Sequence, residues 1–394
     1  MVRPTDKPRT IFFAAFEPSG DVLAARLIRE LKQRDASLRF TGFGGPKMQA
    51  EGAELIEVTT EHAVAMGDGF LGEVKTHLKR CRVVSEYLKT NDLAAFVPVD
   101  SPAANWALCK RVKKHRPGAK VVHLVCPQVW SWAQWRVRRL RNLSDLVLCL
   151  LPFEPGWLDE HGVSGVFVGH PVFEDAPDVL SKPIAQDLPK PDQAEAVKIA
   201  LMPGSRRSEL QMNWPTMIAA YNAVREQHPH VSGVVAARVA SDVQTLRDVQ
   251  GDEPWPDGLE VAPGRTEAVL AWCDAALVKS GTSTLQVASL GKPMVVFYNT
   301  SAVKWNALGR WLVHSRTFAL PNIISEWQDG RRAVPEYVPH FGDAKPIAEE
   351  LMRLVIDSEA RTQQVKSLNR VAETFASVTF KDAAAEALLR ELAS

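Results

Sequence analysis

"VKIALMPGSRRSEL" occupies residues 197–210. An apolar run of strand character ends at Pro203 and Gly204, two arginines follow, and Ser208 and Glu209 lead into a helical pattern. A buried strand that hands over through a glycine turn to a helix is the building unit of a doubly wound α/β sheet. The loop itself reads in two ways, as a solvated turn or as a seat for a phosphate. Gly204 allows a tight turn. The amides of Ser205 to Arg207 would stand at a helix N-terminus, where anions are favoured. Arg206 or Arg207 would add charge-assisted bonds to phosphate oxygens.

The same alternation runs through both halves of the chain. Before the quoted stretch, strands are expected at 10–16, 39–45, 94–100, 120–127, 145–152 and 165–171, with amphipathic segments such as "GDVLAARLIRELKQR" (20–34) between them. After it, strands are expected at 231–237, 259–263, 274–280 and 293–299. Short apolar runs alternating with helical periodicity imply parallel sheets with helices on both faces. The segment "FEDAPDVLSKPIAQDLPKPDQAEA" (173–196) is rich in proline and acids and lacks periodicity, so it reads as a linker. The expected fold is α/β: two doubly wound Rossmann-like domains facing a central cleft, the first over 1–175, a linker over 176–196, the second over 197–365, and a C-terminal helical tail over 366–394. A chain of 394 residues is long enough for two cores.

Composition narrows the function classes. A net charge of +1 gives no global reason to expect nucleic acid, so any basic site must be local. The five cysteines are scattered and odd in number, which argues against a disulfide framework or structural zinc and for reduced thiols in the cytosol. The N-terminus carries no signal-peptide pattern, and no apolar run is long enough to predict a transmembrane helix.

In sheets of this kind ligands bind beyond the carboxyl ends of the strands. In the first domain Asp100 ends the strand "AAFVPVD", where it suits either a general base or the N-cap of the following helix. The loop "FEPSGD" (16–21) has one glycine and is no dinucleotide fingerprint; its Ser19, Gly20 and Asp21 would present amides to a ligand or cap the helix. "GFGGP" (42–46) is a glycine turn nearby. In the second domain "KSGTSTLQ" (279–286) repeats the design of 203–207: a strand ends, Ser280, Gly281 and Thr282 turn, and a helix begins. Two such loops on neighbouring strands would hold a diphosphate without a metal, and no Asp-x-Asp pair is present to chelate one. Two aromatic–basic stretches, "CPQVWSWAQWRVRRLRN" (126–142) and "KWNALGRWLVHSRTF" (304–318), and the basic amphipathic segment 70–88 fit either a membrane interface or a core with a solvated face.

Taken in order, "PSGDVLAARLIREL", "GGPKMQAEG", "VDSPAANW", "CPQVWSW", "LPFEP", "GHPV", "LMPGSRRSEL", "SGTSTLQ", "GKPMVV" and "LPNII" resemble the lipid-A-disaccharide synthase family, inverting glycosyltransferases of the GT-B architecture (glycosyltransferase family 19). The motifs span about residues 10 to 340. The resemblance implies transfer of 2,3-diacylglucosamine from its UDP donor to 2,3-diacylglucosamine 1-phosphate, giving a β-1,6-linked disaccharide and UDP. It implies Asp100 as general base on the acceptor hydroxyl and Arg206 as the cation that neutralises the diphosphate. It further implies Gly204, Ser205, Ser280, Gly281, Thr282, Gln286 and Asn322 on the UDP side, with Glu17, Ser19, Gly20 and Asn105 on the acceptor side. No cofactor or metal is expected, since the UDP-sugar is a substrate. The expected partners are UDP-diacylglucosamine, the acylated sugar phosphate, and the cytoplasmic face of the inner membrane, where the protein would be peripheral. A homodimer is a further expectation; nucleic acid is not.

The chain departs from the family pattern at five positions, in four motifs, near the expected ligands. Phe16 and Pro18 replace small residues in the first loop, Ala103 stands where a second carboxylate is usual, Ala133 where an arginine follows "VWAW", and Gln286 where a glutamate holds the ribose hydroxyls. Gln286 still donates and accepts but lacks the charged acceptor. These departures leave two other readings beside the synthase: a related enzyme with a different sugar substrate or a nucleotide-sugar epimerase, and a non-catalytic paralogue that binds a nucleotide sugar or lipid. Retention of Asp100, Arg206 and Asn322 weighs against the last.

Overall fold

The computed structural model describes residues 9–60, 69–183, 188–189, 196–204, 206–306 and 315–394. The chain divides into two compact units, Met1–Pro171 with Val378–Ser394, and Val172–Ser377.

The first unit holds β1 (Thr10–Ala15), β2 (Arg39–Gly44), β3 (Glu54–Val58), β4 (Ala95–Val99), β5 (Lys120–Leu124), β6 (Leu146–Cys149) and β7 (Gly165–Phe167) in one sheet, ordered β3-β2-β1-β4-β5-β6-β7. Every pairing is parallel. The connecting helices are α1 (Pro18–Arg34), α2 (Pro46–Ala50), α3 (Gly69–Thr90), α4 (Pro102–His115), α5 (Val137–Leu143) and α6 (Glu154–Glu160). The apolar run of β1 is continuous because both faces are covered. Ile11, Phe13 and Ala15 pack with Leu27, Ile28 and Leu31 of α1 and with Leu388 of the last helix, Phe380–Ala393. Phe12 faces the other way, with ring centroids 5.5 Å from Phe43, 5.6 Å from Phe96 and 5.5 Å from Tyr87 of α3.

The second unit begins with α7 (Pro171–Ser181) and holds β8 (Lys198–Met202), β9 (Ser232–Val235), β10 (Leu259–Val261), β11 (Ala275–Lys279), β12 (Met294–Asn299) and β13 (Glu336–His340). The order is β10-β9-β8-β11-β12-β13, again parallel throughout. Helices α8 (Arg207–Gln227), α9 (Ala240–Gln250), α10 (Thr266–Trp272) and α11 (Ser283–Ser289) connect its first five strands.

Two segments differ from expectation. The residues read as linker from 176 begin inside α7, which keeps Pro177 in its interior, buries Ala176 and Val179, half-buries Glu174 and Asp175 and leaves Asp178 exposed. The tail expected over 366–394 is two helices in different units: Ser358–Glu373 belongs with the second, Phe380–Ala393 with the first. In each sheet the strand order reverses at one point, between β1 and β4 and between β8 and β11. Loops after those strands are where such sheets bind ligands.

Candidate functional site

In the first unit, Ala15 pairs with Val99, so Phe16 and Asp100 emerge side by side from the two central strands. Asp100 and Ser101 both adopt left-handed backbone, with φ of 45° and 41°. Val125, directly after β5, has φ 78°, and Ala133 has φ 48°. These are all the non-glycine residues of positive φ among the described residues, and they follow adjacent strands. Each costs on the order of 1–3 kcal/mol, and such strain concentrates at functional sites. The turn is pinned by the Asp100 amide, which donates to Leu124 O at 3.0 Å. Ser101, not Asp100, occupies the N-cap of α4, and it makes no side-chain cap bond.

Asn105 was expected to touch substrate. It is instead 0% exposed, on the first turns of α4, and its Nδ2 donates to Asp100 O at 2.8 Å and to Ala14 O at 3.4 Å. It braces the backbone that carries Asp100. Gly20 lies buried where α1 meets the sheet; a Cβ there would stand 3.3 Å from Val99 Cγ1. Glu17 is the N-cap of α1 without a side-chain cap bond, and Ser19 is exposed beside it. Asp21 does not cap its own helix. Its buried carboxylate accepts from the amides of Gly45 (3.0 Å), Lys47 (3.0 Å) and Met48 (2.9 Å), tying "FEPSGD" to "GFGGP".

In the second unit, β8 and β11 are neighbours, with Met202 opposite Val278, so the two glycine loops leave one sheet edge together. Ser205 lies outside the described residues. Arg206 is the N-cap of α8, with its side chain 69% exposed. Its amide donates to Glu209 Oε2 at 3.4 Å. Glu209 Oε1 takes Lys279 Nζ at 2.9 Å and lies 3.9 Å from Arg206 Nη1, so one nearly buried carboxylate sits between two cations. Lys279 Nζ also stands 5.1 Å from the Tyr298 ring centroid. Burial, with Glu209 adding to it, holds the Tyr298 hydroxyl above its usual pKa. Gly204 has φ 120°, and a Cβ there would lie 2.8 Å from Glu209 Oε2; a Cβ on Gly281 (φ 155°) would lie 3.2 Å from Lys279 Nζ. Both glycines make room for the ion pair. The sequence reading missed Lys279 and Glu209, which only the strand order brings together.

The second loop differs from expectation in part. Ser280 spends its amide on Phe297 O at 2.8 Å, and Thr282, the N-cap of α11, is exposed and makes no side-chain cap bond. Asn322, expected on the UDP side, is held by the protein's own groups. It is 0% exposed; Nδ2 donates to Val334 O (3.0 Å) and Glu336 Oε2 (2.9 Å), and Oδ1 accepts from the amides of Ala333 and Val334 (2.9 Å each). With its amide fully engaged, it shapes the segment leading into β13. Gln286 lines a cavity of about 520 Å³ with Arg238, Gly264, Arg265, Thr266 and Lys182. A larger cavity of about 770 Å³ opens at the amino ends of β8, β11 and β12, beside Lys198, Asp274 and Pro293, away from the glycine loops.

A family model for lipid-A-disaccharide synthetase matches residues 11–388. The chain belongs to the lipid-A-disaccharide synthase family. It is 33% identical over 379 residues to the lipid-A-disaccharide synthase of Pseudomonas putida KT2440, covering 96% of this chain and 97% of the relative. It is 36% identical over 367 residues to that of Anaeromyxobacter dehalogenans 2CP-1, covering 92% of each. Among solved structures, UDP-GlcNAc 2-epimerase from Neisseria meningitidis bound to UDP-GlcNAc has the same fold, with a TM-score of 0.65 at 12% identity, covering 98% of this chain and 99% of that one. The chain is thus a glycosyltransferase by family, with two parallel α/β units.

The departures from the family pattern have definite surroundings. Phe16 packs 6.0 Å from Phe43, with the Arg80 guanidinium 5.2 Å from its ring centroid and Glu57 holding Arg80 at 2.7 and 2.8 Å. Ala103 is exposed on the first turn of α4. At Ala133 the usual arginine is gone, yet Arg136 stacks 3.7 Å over the Trp132 ring and donates to Trp132 O at 3.1 Å. Beneath this motif, Trp130 Nε1 donates to Glu154 Oε1 (3.0 Å) and the Leu151 amide to Glu154 Oε2 (3.0 Å). Burial pushes the Glu154 carboxyl up to about 8, so it holds its proton at neutral pH. Cys126 and Cys149 lie within 4.8 Å of it and of each other, both buried and both with raised thiol pKa values. All five cysteines are free and buried.

Proposed function

We propose that the protein transfers 2,3-diacylglucosamine from UDP to 2,3-diacylglucosamine 1-phosphate, forming a β-1,6 link with inversion and releasing UDP. The observation that carries this reading is Asp100, held in left-handed backbone at a switch point and braced from beneath by buried Asn105, in a chain of this family. Asp100 takes the proton from the acceptor hydroxyl as its oxygen attacks the donor's anomeric carbon. The bond to the diphosphate breaks on the opposite side, and the leaving group gains negative charge. Arg206 and Lys279, flanking Glu209, stabilise that charge with the first amides of α8. The nucleoside occupies the cavity lined by Gln286, Arg238 and Arg265, with Gln286 on the ribose hydroxyls. Glu17, Ser19 and Gly20 border the acceptor side, with Phe16 as its aromatic wall.

No metal enters this scheme: Arg206 and Lys279, on either side of Glu209, and the amides at the start of α8 are assigned the diphosphate charge. The protein works at the cytoplasmic face of the inner membrane as a peripheral enzyme, and as a homodimer. No helix among the described residues is long and apolar enough to cross a membrane. The test is incubation with UDP-2,3-diacylglucosamine and 2,3-diacylglucosamine 1-phosphate, with and without EDTA, reading disaccharide and UDP by mass. Equal product in both arms supports the scheme. Strict metal dependence overturns the diphosphate seat, and absence of disaccharide overturns the substrate assignment.

A further inference from the structure

Cys126, Cys149 and Glu154 come from three separate elements and meet in the interior of the first unit. Cys126 stands just beyond β5, Cys149 ends β6, and Glu154 opens α6. The two cysteines are far apart in sequence and form no ligand-spaced pair, which is why the sequence speaks against zinc. In the fold β5 and β6 are neighbours, with Leu124 opposite Leu148. The left-handed turn at Val125, whose amide donates to Leu148 O at 3.2 Å, keeps the chain beside β6 as far as Cys126. The two Sγ atoms and a carboxylate oxygen of Glu154 all lie within 4.8 Å of one another. The three residues are 1%, 0% and 2% exposed.

Three acidic groups share this space without a base. Among the described residues no lysine, arginine or histidine hydrogen-bonds or ion-pairs with any of them. Buried charge needs a partner, so the trio is either fully protonated or a ligand set for a cation. Two features favour the ligand set. Glu154 is held from outside, by Trp130 Nε1 on Oε1 and by the Leu151 amide on Oε2, each at 3.0 Å. Each oxygen keeps a further lone pair, and outer hydrogen bonds of this kind orient metal-bound carboxylates. The spacing also fits. A tetrahedral ion with bonds of about 2.3 Å to sulfur and about 2.1 Å to oxygen sets its ligand atoms roughly 3.5–3.8 Å apart, inside the 4.8 Å that bounds the trio.

We infer that Cys126, Cys149 and Glu154 form a binding site for one thiophilic divalent cation of the zinc class. The two thiols and the carboxyl give their protons to solvent as the ion enters, and two thiolates and one carboxylate then hold it. Pro127 O, 3.4 Å from Cys126 Sγ, is an oxygen at hand for the fourth position. Sulfur ligands select against magnesium and calcium, which take oxygen. The bound ion ties the ends of β5 and β6 to the start of α6, and an ion held only by the folded chain raises Tm. This site belongs to the first unit and the diphosphate seat to the second, so the inference stands independently of the proposed reaction.

The test is metal content. A buried site fills as the chain folds, so the full chain is expressed in medium supplemented with zinc, washed with EDTA to strip surface ions, and weighed by native mass spectrometry. Wild type is expected to carry one zinc per chain. Cys126→Ser with Cys149→Ser is expected to carry none, and Cys273→Ala, outside the trio, to carry one. Trp130→Phe removes the N–H that holds Glu154 and is expected to weaken zinc affinity about 10- to 100-fold, read by competition with a chromophoric chelator. Expression with cadmium in place of zinc is expected to give an ultraviolet sulfur-to-metal charge-transfer band in wild type and none in the double variant. Circular dichroism matching wild type shows that the variants fold. A folded, reduced wild type that carries neither zinc nor cadmium overturns the inference, as does metal retained equally by the double variant.

Discussion

Lys279 Nζ and Glu209 Oε1 lie 2.9 Å apart, joining the end of β11 to the first turn of α8. The pair fixes a lysine beside the exposed Arg206 and keeps Glu209 from drawing Arg206 inward on its own. Lys279→Ala removes one cation of the diphosphate seat and leaves a nearly buried carboxylate without its closest partner. A charge-assisted bond of this kind contributes about 1.5–3 kcal/mol. UDP affinity, measured by calorimetry, is expected to fall roughly ten- to hundredfold by that figure. Adding Glu209→Gln relieves the stranded charge, recovering stability but not affinity. A folded Lys279→Ala variant that binds UDP as wild type does would remove Lys279 from the seat.

Asn105→Ala tests the brace under Asp100. Losing the 2.8 Å bond to Asp100 O costs about 1–3 kcal/mol of stability, read as a lower Tm, because a half-buried carbonyl loses its donor. A positioning role predicts more: kcat falls while KM for the UDP-sugar stays put, since Asn105 is fully buried beneath Asp100. A drop in Tm with kcat unchanged would make Asn105 structural only.

The sequence made most of this architecture legible. Strands buried on both faces, such as "IFFAA" and "KIALM", read as unbroken apolar runs, and each was expected within a few residues of where it lies. The two strands that escaped notice, β3 "ELIEV" and β13 "EYVPH", each lie at one edge of their sheet. An edge strand is half exposed, so charges and a proline interrupt its pattern. Helix α7 was hidden by Pro177 and its acids, although Ala176 and Val179 have the spacing of a buried stripe. For the proposed site, the positions of Asp100 after a central strand and Arg206 at a helix start are legible in the sequence. The roles of Asn105 and Asn322 did not, because a motif shows that an amide is present and not whether it points to a ligand or to backbone. The Lys279–Glu209 pair is 70 residues apart in sequence and depends on β8 and β11 being neighbours.

Asn322→Ala separates shape from contact. Four hydrogen bonds to the 333–336 segment are lost at a fully buried position, so stability is expected to drop by more than about 2 kcal/mol in urea unfolding. At a temperature where the variant remains folded, UDP affinity is expected within a few-fold of wild type. Normal stability with abolished UDP binding would instead make Asn322 a direct contact.

Glu154 gives stability a pH dependence of definite sign. Its carboxyl titrates near 8 in the folded chain and near its ordinary value when unfolded. The folded state therefore holds more protons between those values, and stability falls as pH rises through that window. Wild-type Tm is expected to decline from about pH 5 to pH 8, where ionised Glu154 would sit buried against Trp130. Glu154→Gln removes the titration and flattens the decline. An equally steep profile in the variant would assign the slope to other groups.

The central claim is that Asp100 takes the proton from the acceptor. The most direct measurement is the rate of disaccharide formation by Asp100→Asn, run beside UDP binding by the same variant. The account predicts a rate lower by about 10²–10⁴-fold, with UDP affinity and Tm close to wild type, since Asn keeps the shape and tolerates left-handed backbone. Disaccharide formation near the wild-type rate would contradict it and send the search for the base elsewhere.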